Sequence, residues 1–203
     1  MKKTILSLFI TLTFIGFANA QDDKVKTAFA SSLGFENKSN YTSAISKMIE
    51  VYSPSSYEIN LRLGWLNYCA GLQKESKQYY KIAMELMPFS LEAKFGYIYP
   101  LSVLNEWDEV VFQYQAILKL DPNNSFALYA LGMIYYNGKL YEKAHKCFTL
   151  LVNLYPFTYD GLHMLAWTNY RLSKPKEAKQ LFNRVLLIAP NDTSSLEGLS
   201  LIK

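Results

Sequence analysis

The sequence predicts an all-α fold, an α-solenoid of stacked helical hairpins, on three observations. Five of the seven prolines, Pro54, Pro88, Pro122, Pro156 and Pro190, recur every 34 residues. With only seven prolines in 203 residues, so regular a spacing marks an internal repeat. Between them, apolar residues such as Ala144, Phe148 and Leu151 fall at i, i+4 and i+7, the stripe of an amphipathic helix. Small residues recur where paired helices would approach to ~8–10 Å, as at Gly64, Gly132, Ala144 and Ala178.

The elements follow in order. Residues 1–20, MKKTILSLFITLTFIGFANA, have the basic start, apolar centre and small-x-small end of a signal peptide. Polar residues from Gln21 arrive too early for a membrane-spanning helix of about 20 residues. Cleavage is expected after Ala20, with export to the periplasm or beyond; the short Lys-Lys leader points to a bacterial source. No cysteine lies near the cleavage site, which disfavours a lipid anchor.

Residues 21–203 form a single solenoid domain in this reading. Its units are about 23–56, 57–90, 91–124, 125–158 and 159–192, with a short capping helix over 193–203. Each unit is a helix A, a short turn, a helix B and a proline-containing link. Proline lacks an amide donor and disfavours helix in the residue before it, so each helix B should stop ahead of its proline. Asn37 to Asn40 and Asn137-Gly138 supply turn chemistry between A and B helices. Relative to Tyr41 and Ala44, Pro54 comes two residues early, marking the first unit as degenerate. Pro100 falls inside a helix A, where a kink is expected, whereas Pro175 suits a first helical turn. In the cap, Thr193, Ser194 and Ser195 offer N-cap oxygens, and Leu196, Leu199 and Leu201 are expected to cover the preceding helix B.

Segment 125–158 carries Leu131-Gly132, Tyr135, Tyr141, Ala144, Phe148, Leu151 and Pro156 at fixed offsets, and 159–192 carries Leu165, Ala166, Ala178, Phe182, Val185 and Pro190. These segments resemble the tetratricopeptide repeat. Segment 57–90 keeps Leu63-Gly64, Tyr80, Ala83 and Pro88, with Ser76 in place of the usual Ala, and 91–124 is the most divergent, with Val110 in the small position. The resemblance implies a right-handed solenoid whose A helices line a concave, partner-binding groove. In that register Trp65, Tyr68, Phe95, Tyr99, Phe126, Tyr129, Met133, Tyr136, Asn137, His163, Trp167, Tyr170 and Arg171 face the groove, alongside Leu61 and Asp160. Only Asn137 matches the charged clamp that some family members use for carboxylate tails.

No sign of catalysis, cofactor or metal is found in the sequence. His145 and His163 belong to no metal-binding pair, and no phosphate-cradling or nucleophile-elbow motif occurs. Cys69 and Cys147 lie two repeats apart, at least ~16 Å by helix stacking, beyond the ~7 Å reach of a disulfide, so two buried free thiols are expected. The formal charge of +4 falls to +2 once Lys2 and Lys3 leave with the leader, which gives no electrostatic reason to expect nucleic acid or anionic lipid as partner. The expected function is therefore a non-enzymatic scaffold of the cell envelope that holds a protein or peptide on aromatic side chains. The alternative is a carbohydrate-binding accessory using the same rings. The degenerate first unit and short last helix also leave apolar ends open to self-association.

Overall fold

The computed structural model describes residues 22–202, so the leader expected at 1–20 lies outside the described residues. Among the described residues the chain is all-helical, with no strand. Helix α1 spans 22–36 and is followed by α2 (Tyr41–Ile49), α3 (Tyr57–Cys69), α4 (Gln73–Leu86) and α5 (Leu91–Val103). Then come α6 (Trp107–Leu120), α7 (Ser125–Asn137), α8 (Tyr141–Leu154), α9 (Tyr159–Arg171), α10 (Pro175–Ile188) and α11 (Thr193–Leu201). None of the described helices is long and apolar enough to cross a membrane.

The helix starts repeat every 34 residues because the capping residues do. Ser56, Ser90, Asn124, Thr158 and Asp192 are the N-caps of α3, α5, α7, α9 and α11. All but Thr158 accept a side-chain hydrogen bond from the amide three residues on, which satisfies one of the helix's orphan donors. Each of these A helices thus starts three residues after a repeat proline, and α4, α6, α8 and α10 each end two residues before one. The cap of α11 is a correction to the sequence reading. Asp192, not Thr193, Ser194 or Ser195, supplies the oxygen, accepting from the Ser195 amide at 2.7 Å.

The turns between A and B helices share one backbone device. Gly71, Asn105, Lys139 and Ser173, again 34 apart, take positive φ of 79°, 59°, 58° and 57°. In the turn read as Asn137-Gly138, the left-handed residue is therefore Lys139, while Gly138 caps α7 at φ −76°. The first such residue, Ser39, lies 32 rather than 34 positions before Gly71, the two-residue offset seen in the sequence. Helix α2 is correspondingly short, at nine residues against 14 for α4.

Contacts divide the chain into two compact units, one ending at Glu106 and one beginning at Trp107. In the first, α3 packs on α4 and α4 on α5, while Ala44, Met48, Ile59, Leu63 and Leu66 form a buried cluster between α2 and α3. Ser76 sits in a position suited to Ala and is fully buried; its hydroxyl donates to the Gly64 carbonyl at 2.8 Å, so the extra polar group is satisfied. Helix α5 continues unbroken across buried Pro100. In the second unit, α7, α8, α9 and α10 pack in sequence and α11 closes on α10 and α9.

The recurring small residues are explained by rings rather than by bare helix contact. A Cβ on Gly64 would meet the Tyr80 ring at 2.8 Å, one on Gly132 the Phe148 ring at 2.7 Å, and one on Gly198 the Phe182 ring at 2.3 Å. Helix B of a hairpin lays an aromatic ring into the notch that glycine leaves on an A helix. This also corrects the cap. Its inward face is Ser195 and Gly198, seated by Phe182, whereas Leu196 and Leu201 are exposed and Leu199 is half-buried.

Candidate functional site

In the first unit, the predicted groove register brings three rings together. Trp65 and Tyr68 stand one turn apart on α3, and Tyr99 joins them from α5. Ring centroids are 5.9 Å apart for Trp65–Tyr68, 6.3 Å for Trp65–Tyr99 and 5.3 Å for Tyr68–Tyr99. Trp65 and Tyr99 remain 37% and 42% exposed, so the cluster is a surface and not a core. Phe95 and Leu61 on the same two helices are half-buried.

Beneath the rings lies a charged support that the sequence reading missed. Glu36, at the end of α1, accepts the Trp65 indole N–H at 2.6 Å and pairs with Arg62 at 2.5 Å. Arg62 also donates to Ser32 at 3.2 Å. The pair is largely shielded, with side-chain exposures of 12% and 20%, so it fixes Trp65 in one orientation instead of leaving a free charge. No spacing rule pointed to Glu36, because α1 belongs to the degenerate first unit. Cys69, expected to be buried, is half-buried next to this pair. Burial first, and Glu36 second, push its thiol above the ordinary range despite Arg62, so it is a poor nucleophile. Cys147 is buried and free, its thiol pushed up to about 11 by burial.

In the second unit the predicted residues divide. Phe126 is 58% exposed and leans on Tyr114 of α6. Tyr129 packs against Phe148, and burial, then the nearby Asp160 carboxylate, raises its pKa. Met133 is half-buried, and Tyr136 packs edge-on to Tyr141 at 5.5 Å. Asn137 and Arg171 are exposed; Arg171 lies over Tyr170 at 5.9 Å and beside the Tyr136 side chain.

His163 and Trp167 are held from within. The Trp167 indole N–H points at Nε2 of His163 (3.2 Å) and Oγ of Ser194 (3.0 Å), and Ser194 lies 2.9 Å from the same Nε2. The one indole hydrogen is shared between the two acceptors, and in the tautomer that leaves Nε2 unprotonated Ser194 donates to it. Asp192 sits 3.9 Å from that same nitrogen and not at Nδ1, and its carboxylate already occupies the Ser195 amide. The group therefore lacks both the orienting acid and the free amide that a serine hydrolase uses. It works as a latch between α9 and α11. Tyr159 completes it by stacking on His163 at 5.3 Å and donating to Asp192 at 2.6 Å.

That last contact is itself a repeat. Tyr57 makes a 2.7 Å hydrogen bond to the Ser90 hydroxyl, also 33 residues on and also the N-cap of the next A helix. A Tyr opening one A helix and a capping oxygen opening the next is the sequence signal that would have found both. Hydrogen bonding to Asp192, with burial, pushes the Tyr159 phenol up to about 12. Burial alone would raise Asp192, but hydrogen bonds from Ser195 and Tyr159 outweigh it and hold the carboxyl below its ordinary value. Burial lowers His163, against the opposing pull of Asp192 and Asp160. Among the described residues no group of three His, Cys, Asp or Glu side chains could hold a metal.

Two segments, 113–146 and 159–192, match models of the tetratricopeptide repeat. The second coincides with the unit boundaries read from proline spacing. The chain is a tetratricopeptide repeat protein. Its fold matches solved tetratricopeptide repeat structures at low sequence identity. A tetratricopeptide repeat protein from Parabacteroides merdae superposes with a TM-score of 0.75 at 18% identity, over 89% of this chain and 72% of that one. MamA from Desulfovibrio magneticus gives 0.70 at 18%, over 84% and 98%. YrrB, a tetratricopeptide repeat protein with an unusual peptide-binding site, gives 0.71 at 14%, over 91% and 97%. No curated protein matches the chain in sequence.

Proposed function

We propose that this tetratricopeptide repeat protein is a non-enzymatic scaffold of the bacterial cell envelope that holds a protein or peptide partner on the aromatic surface of its A helices. The observation that carries the reading is the Trp65–Tyr68–Tyr99 cluster, three half-exposed rings from two successive A helices over a fixed ion pair. Rigid aromatic side chains give large contact area at low entropic cost and dominate binding energy at protein interfaces. The structural likeness to YrrB, described by its peptide-binding site, supports a peptide ligand. The leader composition supports export, with a mature chain beginning at Gln21.

The test is affinity capture from envelope extract, followed by titration of the recovered partner. Trp65→Ala/Tyr99→Ala should weaken the complex by at least about tenfold, as expected for loss of interface anchors, while Phe126→Ala changes it little. A partner retained at full affinity by the double variant would move the interface elsewhere. N-terminal sequencing of the exported protein should begin at Gln21, and an intact Met1 would contradict export by leader cleavage.

A further inference from the structure

The near-neutral net charge conceals an uneven distribution within the second unit. Helices α8 and α10 both begin at the end of the unit where the 138–140 and 172–174 turns lie. Lys139, Lys143 and Lys146 cluster around the start of α8, and Lys174, Lys176 and Lys179 around the start of α10. Five are exposed and Lys174 is half-buried. The two groups adjoin, because Lys174 lies close enough to His145 on α8 to oppose its protonation. Glu142 and Glu177 share this end, as do Asp108 and Glu109 in the first turn of α6, yet among the described residues none of the six lysines is ion-paired.

Lys143 and Lys176 also occupy first helical turns, where the backbone dipole disfavours a cation. Lys143 lies 5.4 Å over the Tyr135 ring, but no carboxylate pairs with any of the six, so the arrangement works against helix stability. The other end of the same unit carries Asp121, Asp160 and Asp192 against only Lys119 and Arg184, so the lysine end is the more positive of the two. The 14 residues of α8 put the two ends roughly 20 Å apart at ~1.5 Å per residue.

We infer that the lysine end of the second unit docks on an anionic lipid surface. Charge separated along the helices orients the unit end-on to such a surface. Lysine, a mobile point charge, suits a diffuse field of headgroups, whereas stereospecific carboxylate recognition favours the planar fork of arginine. A cluster of roughly four to eight basic side chains is the size that holds proteins to anionic leaflets. Leu140, 49% exposed at the tip between Lys139 and Tyr141, adds an apolar contact at the boundary.

The test is vesicle co-sedimentation of the full chain on phosphatidylcholine with or without about 30 mol% phosphatidylglycerol. The readout is the excess binding to anionic vesicles, since every variant carries the same leader. Lys143→Glu/Lys146→Glu/Lys176→Glu/Lys179→Glu should reduce that excess at least about tenfold. Lys24→Glu/Lys26→Glu/Lys74→Glu/Lys81→Glu, with the same net charge, should change it less than about threefold. Raising salt from about 50 to about 300 mM should abolish it, and circular dichroism should show both variants folded. Absence of an excess, or equal loss in the two variants, overturns the inference. So does capture of poly-glutamate through the same lysines without vesicle binding, which would assign the surface to an acidic polypeptide.

Discussion

Substituting alanine at two helical glycines should shift stability in opposite directions. A Cβ on Gly96 would lie 2.1 Å from Cε1 and 2.6 Å from Cζ of Tyr80. The ring is only 3% exposed and closes on its other side against Gly64, where a Cβ would lie 2.8 Å away, so it has no direction in which to retreat. Overpacking of this kind costs about 1–3 kcal/mol, here toward the upper end. The gain in helix propensity returns about 1 kcal/mol, leaving a net loss of about 2 kcal/mol. A methyl group on Gly34, in α1, would have nothing within 4 Å, so Gly34→Ala should yield only the gain, about 1 kcal/mol. At about 2–4 °C per kcal/mol for a chain of this size, Tm should fall by about 4–8 °C in one variant and rise by about 2–4 °C in the other. Urea and thermal unfolding followed by the helical circular dichroism signal would read both. Combining Gly96→Ala with Tyr80→Leu should cost less than the two single losses added, because the clash is gone. Stabilisation by both alanines, or strict additivity in the double variant, would refute the ring-in-notch packing.

Tyr159→Phe removes a hydrogen bond to a carboxylate and should destabilise the α9–α11 contact by about 1.5–3 kcal/mol, seen as faster amide exchange across α11; unchanged exchange would deny the latch. Ser173→Gly relieves a positive φ and should stabilise by up to about 1 kcal/mol in urea titration, and a loss of stability would show that its side chain matters instead. His145 and His163 both titrate below their ordinary 6.5 in the folded chain, chiefly through burial. As pH falls below about 6.5 the unfolded chain therefore binds protons first, so unfolding free energy should decline until the lower folded values are passed, and stay level above about pH 7. A double His→Gln variant should flatten that slope, and an unaltered slope would place the titration elsewhere.

The repeat was legible because its signals are local and recur: the prolines and, from the second unit on, the turn positions and the B-helix aromatics Tyr80, Tyr114, Phe148 and Phe182 stand at one spacing. The cap was misread because four successive residues, Asp192 to Ser195, can all cap a helix; counting 34 from Thr158 selects Asp192. Leucines were assigned inward in α11 on hydrophobicity alone. The third position of α5, α7, α9 and α11 in fact takes small residues, Ala93, Ala127, Gly161 and Ser195, all buried, where α3 has Ile59. The Trp65–Tyr68–Tyr99 cluster followed from register within two regular repeats. Its support from Glu36 and Arg62 did not, since an ion pair between residues 26 apart in a degenerate unit leaves no periodic trace. Likewise Trp167 has the predicted register, but its neighbour α11 brings Ser194 to the indole.

Residue-resolved amide hydrogen exchange tests the hairpin repeat most directly. Fast exchange should recur in the turns that open α4, α6 and α8, at the amides of Gln73, Trp107 and Tyr141, 34 apart and without a backbone acceptor, with slow exchange in the helices between them. Protection that runs through those turns, or fast exchange across buried α3 and α9, would contradict the repeat of paired helices on which the proposed binding surface depends.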